Sequence, residues 1–292
     1  TVLTMTVVPI LGAGSSMADY RIGFKWWALI IAVVFVISEL VCVACVPERP
    51  VACDEKPGKI SDMFKALFKN DQAMTVVVSI ILVYTSLNIC GNLVLFFFRF
   101  DVGNEGAYSL FAAVAFAAQV LVMMVIPLLR KRFSKSQLFI SGFIIQIAGF
   151  AVILIMAFAK LYTPQSWYIL CLPGILIYLG YGMLNVIMTI FLSDSVDYGE
   201  VMNGTREESV IFSMQTFTVK LASGVAVFLA GLVVDWIHLD TAAAVQTQDT
   251  LDALRMWMTI PSVILLIVGI FVFKRFYKLD DTRMEEIKSK LN

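Results

Sequence analysis

Seven stretches of this chain run on with few or no charges, and they restrict it more than anything else in the sequence: Trp26–Val46, Thr75–Phe98, Tyr108–Leu129, Leu138–Ala159, Trp167–Leu192, Val210–Trp236 and Leu254–Phe273. A helix of about 20 apolar residues, rising 1.5 Å per residue, crosses a hydrocarbon core of roughly 30 Å. Periodicity would not separate such stretches from the buried helices of a soluble protein, but their length does. Inside a bilayer the backbone must satisfy its own polar groups, and a helix does so within each segment. The expectation is an all-α polytopic membrane protein with about seven full spans. Thr1–Leu11 adds what reads as the tail of an eighth, so the chain looks like a piece that opens part-way through a longer protein. Composition agrees: 60% of residues are hydrophobic, 15% are charged, and the apolar ones fall in blocks.

Charge placement gives an orientation. With the loop Arg130–Ser136 on the cytoplasmic side, 16 of the 22 Lys and Arg residues share that side and five lie opposite. This positive-inside bias puts the carboxyl terminus in the cytoplasm. All five tryptophans (Trp26, Trp27, Trp167, Trp236 and Trp257) then fall at outer span ends, as an interfacial belt does. A net charge of zero offers nothing to nucleic acid. One histidine, His238, and the absence of an HExxH or paired CxxC pattern argue against a metal centre. The five cysteines, mostly within spans, read as free, packed thiols.

The stretch Phe191–Trp236 stands out from the rest. A charged segment, SDSVDYGEVMNGTREE, runs as a loop into the span Val210–Trp236, which carries Lys220 about 15 Å in. A lysine at mid-span costs about 2.5–3.5 kcal/mol, so it requires a carboxylate, water or a ligand beside it. Ser213, Thr216, Lys220 and Ser223 recur at helical spacing and share a face. Both interfaces are too far for the side chain to reach, which favours a functional lysine over a snorkelling one.

The longest break, Pro47–Gln72, is rich in proline and charge before turning amphipathic through Ile60, Met63, Phe64, Leu67 and Phe68. It reads as a strap on the cytoplasmic side, with a purely structural surface helix equally open. The layout expected is the end of an amino-terminal bundle at 1–46, a connection at 47–72, a six-helix bundle at 73–273 and a tail helix at 274–292. In that tail Thr282 and Glu285 form a capping-box pattern, with Met284, Ile287 and Leu291 inward. Pro173 and Pro261 lie inside spans and are expected to kink them. Many transporters are two six-helix halves joined by such a connection, with the substrate between them.

SDSVDYGEVMNGTREESVIFSMQTFTVK resembles the loop and eleventh helix of the glycoside–pentoside–hexuronide:cation symporters, of which melibiose permease is the best-known member. KNDQ (Lys69–Gln72), Asn88 and FKRFYKLDDTRMEEIKSKL extend the match over essentially the whole chain. The resemblance implies a major-facilitator bundle in a bacterial inner membrane. It also implies alternating access, and a sugar or sugar-acid substrate carried with Na⁺, Li⁺ or H⁺ and no cofactor. It makes Lys220 the lysine bordering sugar and cation sites, and places Gln215, Thr216 and Val219 along the pocket. Asn185 falls where melibiose permease has a pocket tryptophan. Asp194, Asp197 and Arg206 match charges that close the cytoplasmic side. Carboxylates there can pair with cations such as Lys135 in one state and release them in another, or else serve as static anchors. Tyr84, Asn88 and Asn92 form a polar stripe at four-residue spacing, equally open to substrate contact and to interhelical packing.

Two other functions stay open to a chain of this pattern. One is a half-transporter that senses or assembles without transporting. The other is an intramembrane enzyme using Asp194 and Asp197 as paired carboxylates, against which stands the lack of a nucleophile or metal set.

Overall fold

The computed structural model describes residues 7–8, 10–12, 17–45, 68–204, 208–241, 243 and 245–291. The chain divides into two compact units, Thr1–Gly58 and Lys59–Asn292. The first contains helix α1 (Met17–Cys45), whose residues Arg21–Cys45 are long and apolar enough to cross a membrane. Most of Thr1–Leu11 lies outside the described residues, and so does the expected strap helix apart from Phe68, which is helical and exposed.

Besides two short helical turns, the described residues of the second unit contain six helices of membrane-crossing length and a short α-helix near its end. They are α2 (Asp71–Phe96), α3 (Ala107–Leu129), α4 (Lys135–Phe158), α5 (Cys171–Asn203), α6 (Glu208–Trp236), α7 (Gln248–Phe276) and α8 (Asp281–Leu291). No strand occurs among the described residues. α2 packs against α5, α6 and α7, α4 fits between α5 and α7, α3 lies on α5, and α8 rests on the carboxyl-terminal end of α5.

Local chemistry sets the helix starts. Asn70 caps α2 through its side-chain oxygen, which accepts from Ala73 N at 3.0 Å. Ser134 and Gln137 make a reciprocal capping box at the start of α4. Thr247 caps α7, accepting from Thr250 N. The terminal helix differs from expectation. Its cap is Asp280, whose carboxylate accepts from Arg283 N at 2.9 Å, two residues before the predicted Thr282. A short carboxylate at the first available position satisfies the free N–H and starts the helix there.

The core is held by aromatic packing and by close helix crossings. Phe139, Phe191 and Phe273 are fully or almost fully buried and meet with ring centroids 4.5–5.2 Å apart, joining α4, α5 and α7. α4 and α5 cross at Gly142 and Gly180, where a Cβ on Gly180 would come within 2.5 Å of the Gly142 carbonyl oxygen. Small residues allow this approach inside a membrane bundle, where packing rather than water exclusion brings helices together. Ser86 and Ser262, both fully buried, each donate to the other's carbonyl oxygen at 3.0 and 2.8 Å, which ties α2 to α7 beside Pro261. Pro173 sits in the first turn of α5, just after the 3₁₀ turn Trp167–Leu170. The described cysteines are free, with Cys90 buried but Cys42 and Cys45 exposed rather than packed.

The charged segment after Leu192 is helical, not a loop. α5 continues through Asp194 and Asp197 to Asn203 and ends at Gly204, which has a φ of 74° and donates its N–H to the Glu200 carbonyl. Polarity there marks the edge of the apolar span. Only Gly204 supplies a conformation that stops the helix.

Candidate functional site

An uncharged polar network joins α2, α5 and α6. Asn185 Nδ2 donates to the Tyr84 hydroxyl at 2.7 Å, and Tyr84 packs edge-on against Tyr181 with centroids 5.5 Å apart. One turn further along α5, Thr189 Oγ1 donates to the Asn185 carbonyl and accepts from Gln215 Nε2 at 3.3 Å. On α2 the Asn88 amide donates to the Tyr84 carbonyl and the Asn92 amide to the Asn88 carbonyl, each at 2.7 Å. The structure therefore brings Asn88, Asn185 and Gln215 into one connected set, through Tyr84 and Thr189. Sequence reasoning singled out neither Thr189 nor Tyr181, because nothing in their local pattern distinguishes them from lipid-facing or core residues. The Thr189 side chain is exposed, and Asn88, Asn185 and Gln215 are half-buried, so the network borders open space rather than sealed core.

α6 presents three kinds of face. Ile211, Thr218, Ala222, Ala226, Ala230 and Val233 form the stripe buried against the bundle. Gln215 and Val219 flank it and are half-buried. Thr216 and Lys220 lie on the exposed side; the Thr216 hydroxyl bonds to the Phe212 carbonyl of its own helix at 3.4 Å. At 100° per residue, Lys220 is turned about 140° from Gln215. The predicted residues on this helix therefore do not converge within the six-helix unit: Gln215 joins the amide network, while Thr216 and Lys220 face away from it. Among the described residues, no carboxylate lies within ion-pair distance of Lys220.

At the end of the bundle where α8 lies, Lys135 opens α4 and reaches Asp194 of α5, Nζ to Oδ2 at 2.5 Å. Both are buried, at 7% and 5% exposure. Lys135 also lies 3.5 Å from Asp281 of α8, which Arg130 contacts at 3.3 Å. Burial alone would raise the Asp281 carboxyl, but the Arg130 and Lys135 cations hold it below its ordinary value. The Tyr277 hydroxyl is buried without a hydrogen-bond partner; burial, then the nearby Asp194 and Asp281 carboxylates, push its pKa up. Asp194 thus sits behind an ammonium and is closed to solvent, which does not suit it to acid–base chemistry on a substrate. Asp197 is half-buried one turn on, and Arg206 lies outside the described residues.

The KNDQ and DYGE segments meet here as well. Asn70 Nδ2 donates to the Ser195 carbonyl at 2.8 Å, and a Cβ on Gly199 would come within 2.8 Å of that same nitrogen. Gln72 accepts from Lys278 N at 2.7 Å and donates to the Phe276 carbonyl. These two motif side chains fasten the start of α2 to the carboxyl-terminal ends of α5 and α7.

The opposite end of the bundle has its own ion cluster, which the sequence did not reveal. After α2 the backbone makes a π turn, Phe97–Asp101, that brings Asp101 to Arg255 of α7. Arg255 grips Asp101 through Nε at 2.8 Å and Nη2 at 2.5 Å, and Tyr162 donates to the same carboxylate at 2.6 Å. Burial, then the Asp101 carboxylate, push the Tyr162 hydroxyl up, so it remains a neutral donor.

A closely crossed helical unit, pinned by ion pairs at both ends with amides and hydroxyls between them, is a major-facilitator-type membrane bundle. The chain belongs to the family described as MFS/sugar transport protein, whose sequence pattern matches residues 1–281. It is 23% identical to the raffinose carrier protein of Pediococcus pentosaceus over 99% of this chain and 45% of that protein. Against the isoprimeverose transporter of Lactiplantibacillus pentosus it is 24% identical, over 95% of this chain and 56% of the relative. It is also 22% identical to a putative sulfoquinovose importer of Escherichia coli (strain K12), over 99% of this chain and 61% of that one. The chain spans roughly half of the length of the curated relatives it matches.

Proposed function

We propose that this chain is part of a sugar:cation symporter working by alternating access. The observation that carries this is the family match over nearly the whole chain, shared with relatives named as carriers and transporters of sugars. The site chemistry fits. Four amides and two hydroxyls supply donors and acceptors for a polyhydroxylated solute without adding charge. Lys220 supplies one cationic charge on the exposed face of α6, where a carboxylate of the partner half or of a sugar acid meets it and links cation occupancy to pocket charge. Thr216 lies on the Lys220 side of α6 and Val219 on the Gln215 side, both as pocket-lining positions, and Asp194, Asp197, Arg206 and Lys135 belong to the cytoplasmic closure. Na⁺, Li⁺ or H⁺ is the co-transported ion, and the protein lies in a bacterial inner membrane with its carboxyl terminus inside. Basic residues at the inner ends support that orientation: Arg130–Lys135 between α3 and α4, and Lys274 and Arg275 in the last turn of α7.

The test is uptake of radiolabelled glycosides and hexuronides by inverted and right-side-out vesicles holding the complete reading frame. Accumulation that collapses when the Na⁺, Li⁺ or proton gradient is removed supports symport. Uptake indifferent to every gradient contradicts it.

A further inference from the structure

The carboxyl-terminal end of α5 outruns the membrane. From Trp167 to Met202 the helical run covers 36 residues, and its last turns carry the charges Asp194, Asp197 and Glu200. A polar helix end of this kind frays unless something packs on it. Here that something is α8. Met284 and Ile287 are buried with Leu279 against Tyr198, Val201 and Tyr277. Asp281, at the first turn of α8, takes Arg130 at 3.3 Å and the buried Lys135 at 3.5 Å, and Lys135 in turn holds Asp194. The link before α8 is fixed too, by the Gln72 side chain on Lys278 N.

We propose that α8 is a brace for the cytoplasmic extension of α5, and that Asp281 is the positioning residue which keeps Lys135 on Asp194. Lys135 Nζ lies within ion-pair distance of both the Asp194 and the Asp281 carboxylates, so one buried cation ties three segments together: the start of α4, the end of α5 and the start of α8. Without the Asp281 charge, Arg130 and Lys135 lose their partner on α8, Lys135 is no longer held in place on Asp194, and the apolar contacts of Leu279, Met284 and Ile287 are left to hold the brace. For transport the inference rests on the proposal that the α5 end closes the cytoplasmic side; for helix order it stands without that proposal.

The experiment compares Asp281→Asn, Asp281→Glu and wild type, as the complete protein in nanodiscs, by amide hydrogen exchange of residues 193–203 and of residues 175–190 as an internal control. Asp281→Asn should speed exchange in the first segment about tenfold, leave the second unchanged, and be restored by Asp281→Glu. In vesicles the same variant should lower maximal uptake about threefold with KM unchanged, because the amide network is on another part of α5. Unchanged exchange in residues 193–203 overturns the brace whatever the uptake shows. Faster exchange with normal uptake overturns the positioning role. Absence of uptake in wild type overturns the symport proposal instead and leaves the exchange result to decide the brace.

Discussion

Replacing Arg255 by leucine probes the Asp101–Arg255 ion cluster. The Arg255 and Asp101 side chains are 3% and 4% exposed, and the guanidinium makes two bonds to that carboxylate. Removing one partner of such a pair leaves a buried charge uncompensated, which costs about 3–5 kcal/mol. The third bond, to Asp252, adds little, since that carboxylate is 43% exposed and solvent screens it. For a unit of this size each kcal/mol moves the melting midpoint by about 2–4 °C, so Arg255→Leu should lower it by roughly 6–20 °C. The assay is thermal unfolding in detergent followed by loss of the monodisperse peak on size exclusion. Arg255→Lys should fall between, keeping the charge but not the forked geometry. The double variant Asp101→Leu/Arg255→Leu should melt well above Arg255→Leu, because neither charge is then stranded. A shift below 2 °C for Arg255→Leu, or a double variant less stable than the single, would refute the reasoning.

Three further outcomes follow from the same geometry. Gly180→Ala should destabilise the bundle by about 1–3 kcal/mol, because its Cβ has nowhere to go between Gly142 and Gln146; unfolding in a denaturant series measures it. Ser262→Ala removes one bond of the reciprocal α2–α7 pair and should cost about 1 kcal/mol in the same series, with Ser86→Ala/Ser262→Ala costing less than twice that. The Asp281 carboxyl titrates below its ordinary 3.8 in the folded protein, so its contribution to α8 docking is complete above that value and is lost as pH falls through the lower folded value. Proteolysis of the terminal helix by an acid-active protease should accelerate only below about pH 4, and acceleration between pH 7 and 5 would contradict this.

The spans were legible because bilayer thickness imposes a length that few other structures need, and six of the helices in the second unit lie within a few residues of where the sequence put them, apart from the carboxyl-terminal extension of α5 and the start of α7. Hydropathy located the edge of the apolar run at Leu192 but not the end of the helix at Asn203, since charged residues leave a membrane without leaving a helix. The Lys135–Asp194 contact was foreseeable as an attraction between two inner-end charges. The structure adds that it is buried within one compact unit and shared with Asp281. Asp101 and Arg255 are 154 residues apart; Arg255 counted only as one of the five basic residues opposite the Arg130–Ser136 loop and Asp101 was not singled out, because the π turn that aligns them has no sequence signature. Lys220 was conspicuous from its setting alone, but helical periodicity gave only the residues sharing its face. The bundle decides which face is buried, and it buries the opposite one.

Lys220 carries the central claim, and uptake by Lys220→Ala and Lys220→Arg in the complete protein, with and without Na⁺, tests it most directly. Loss of accumulation in both variants at normal membrane levels is the expected result, and it places the ammonium at the coupling of sugar and cation. Full gradient-driven accumulation by Lys220→Ala would contradict the account and leave this lysine without a part in transport.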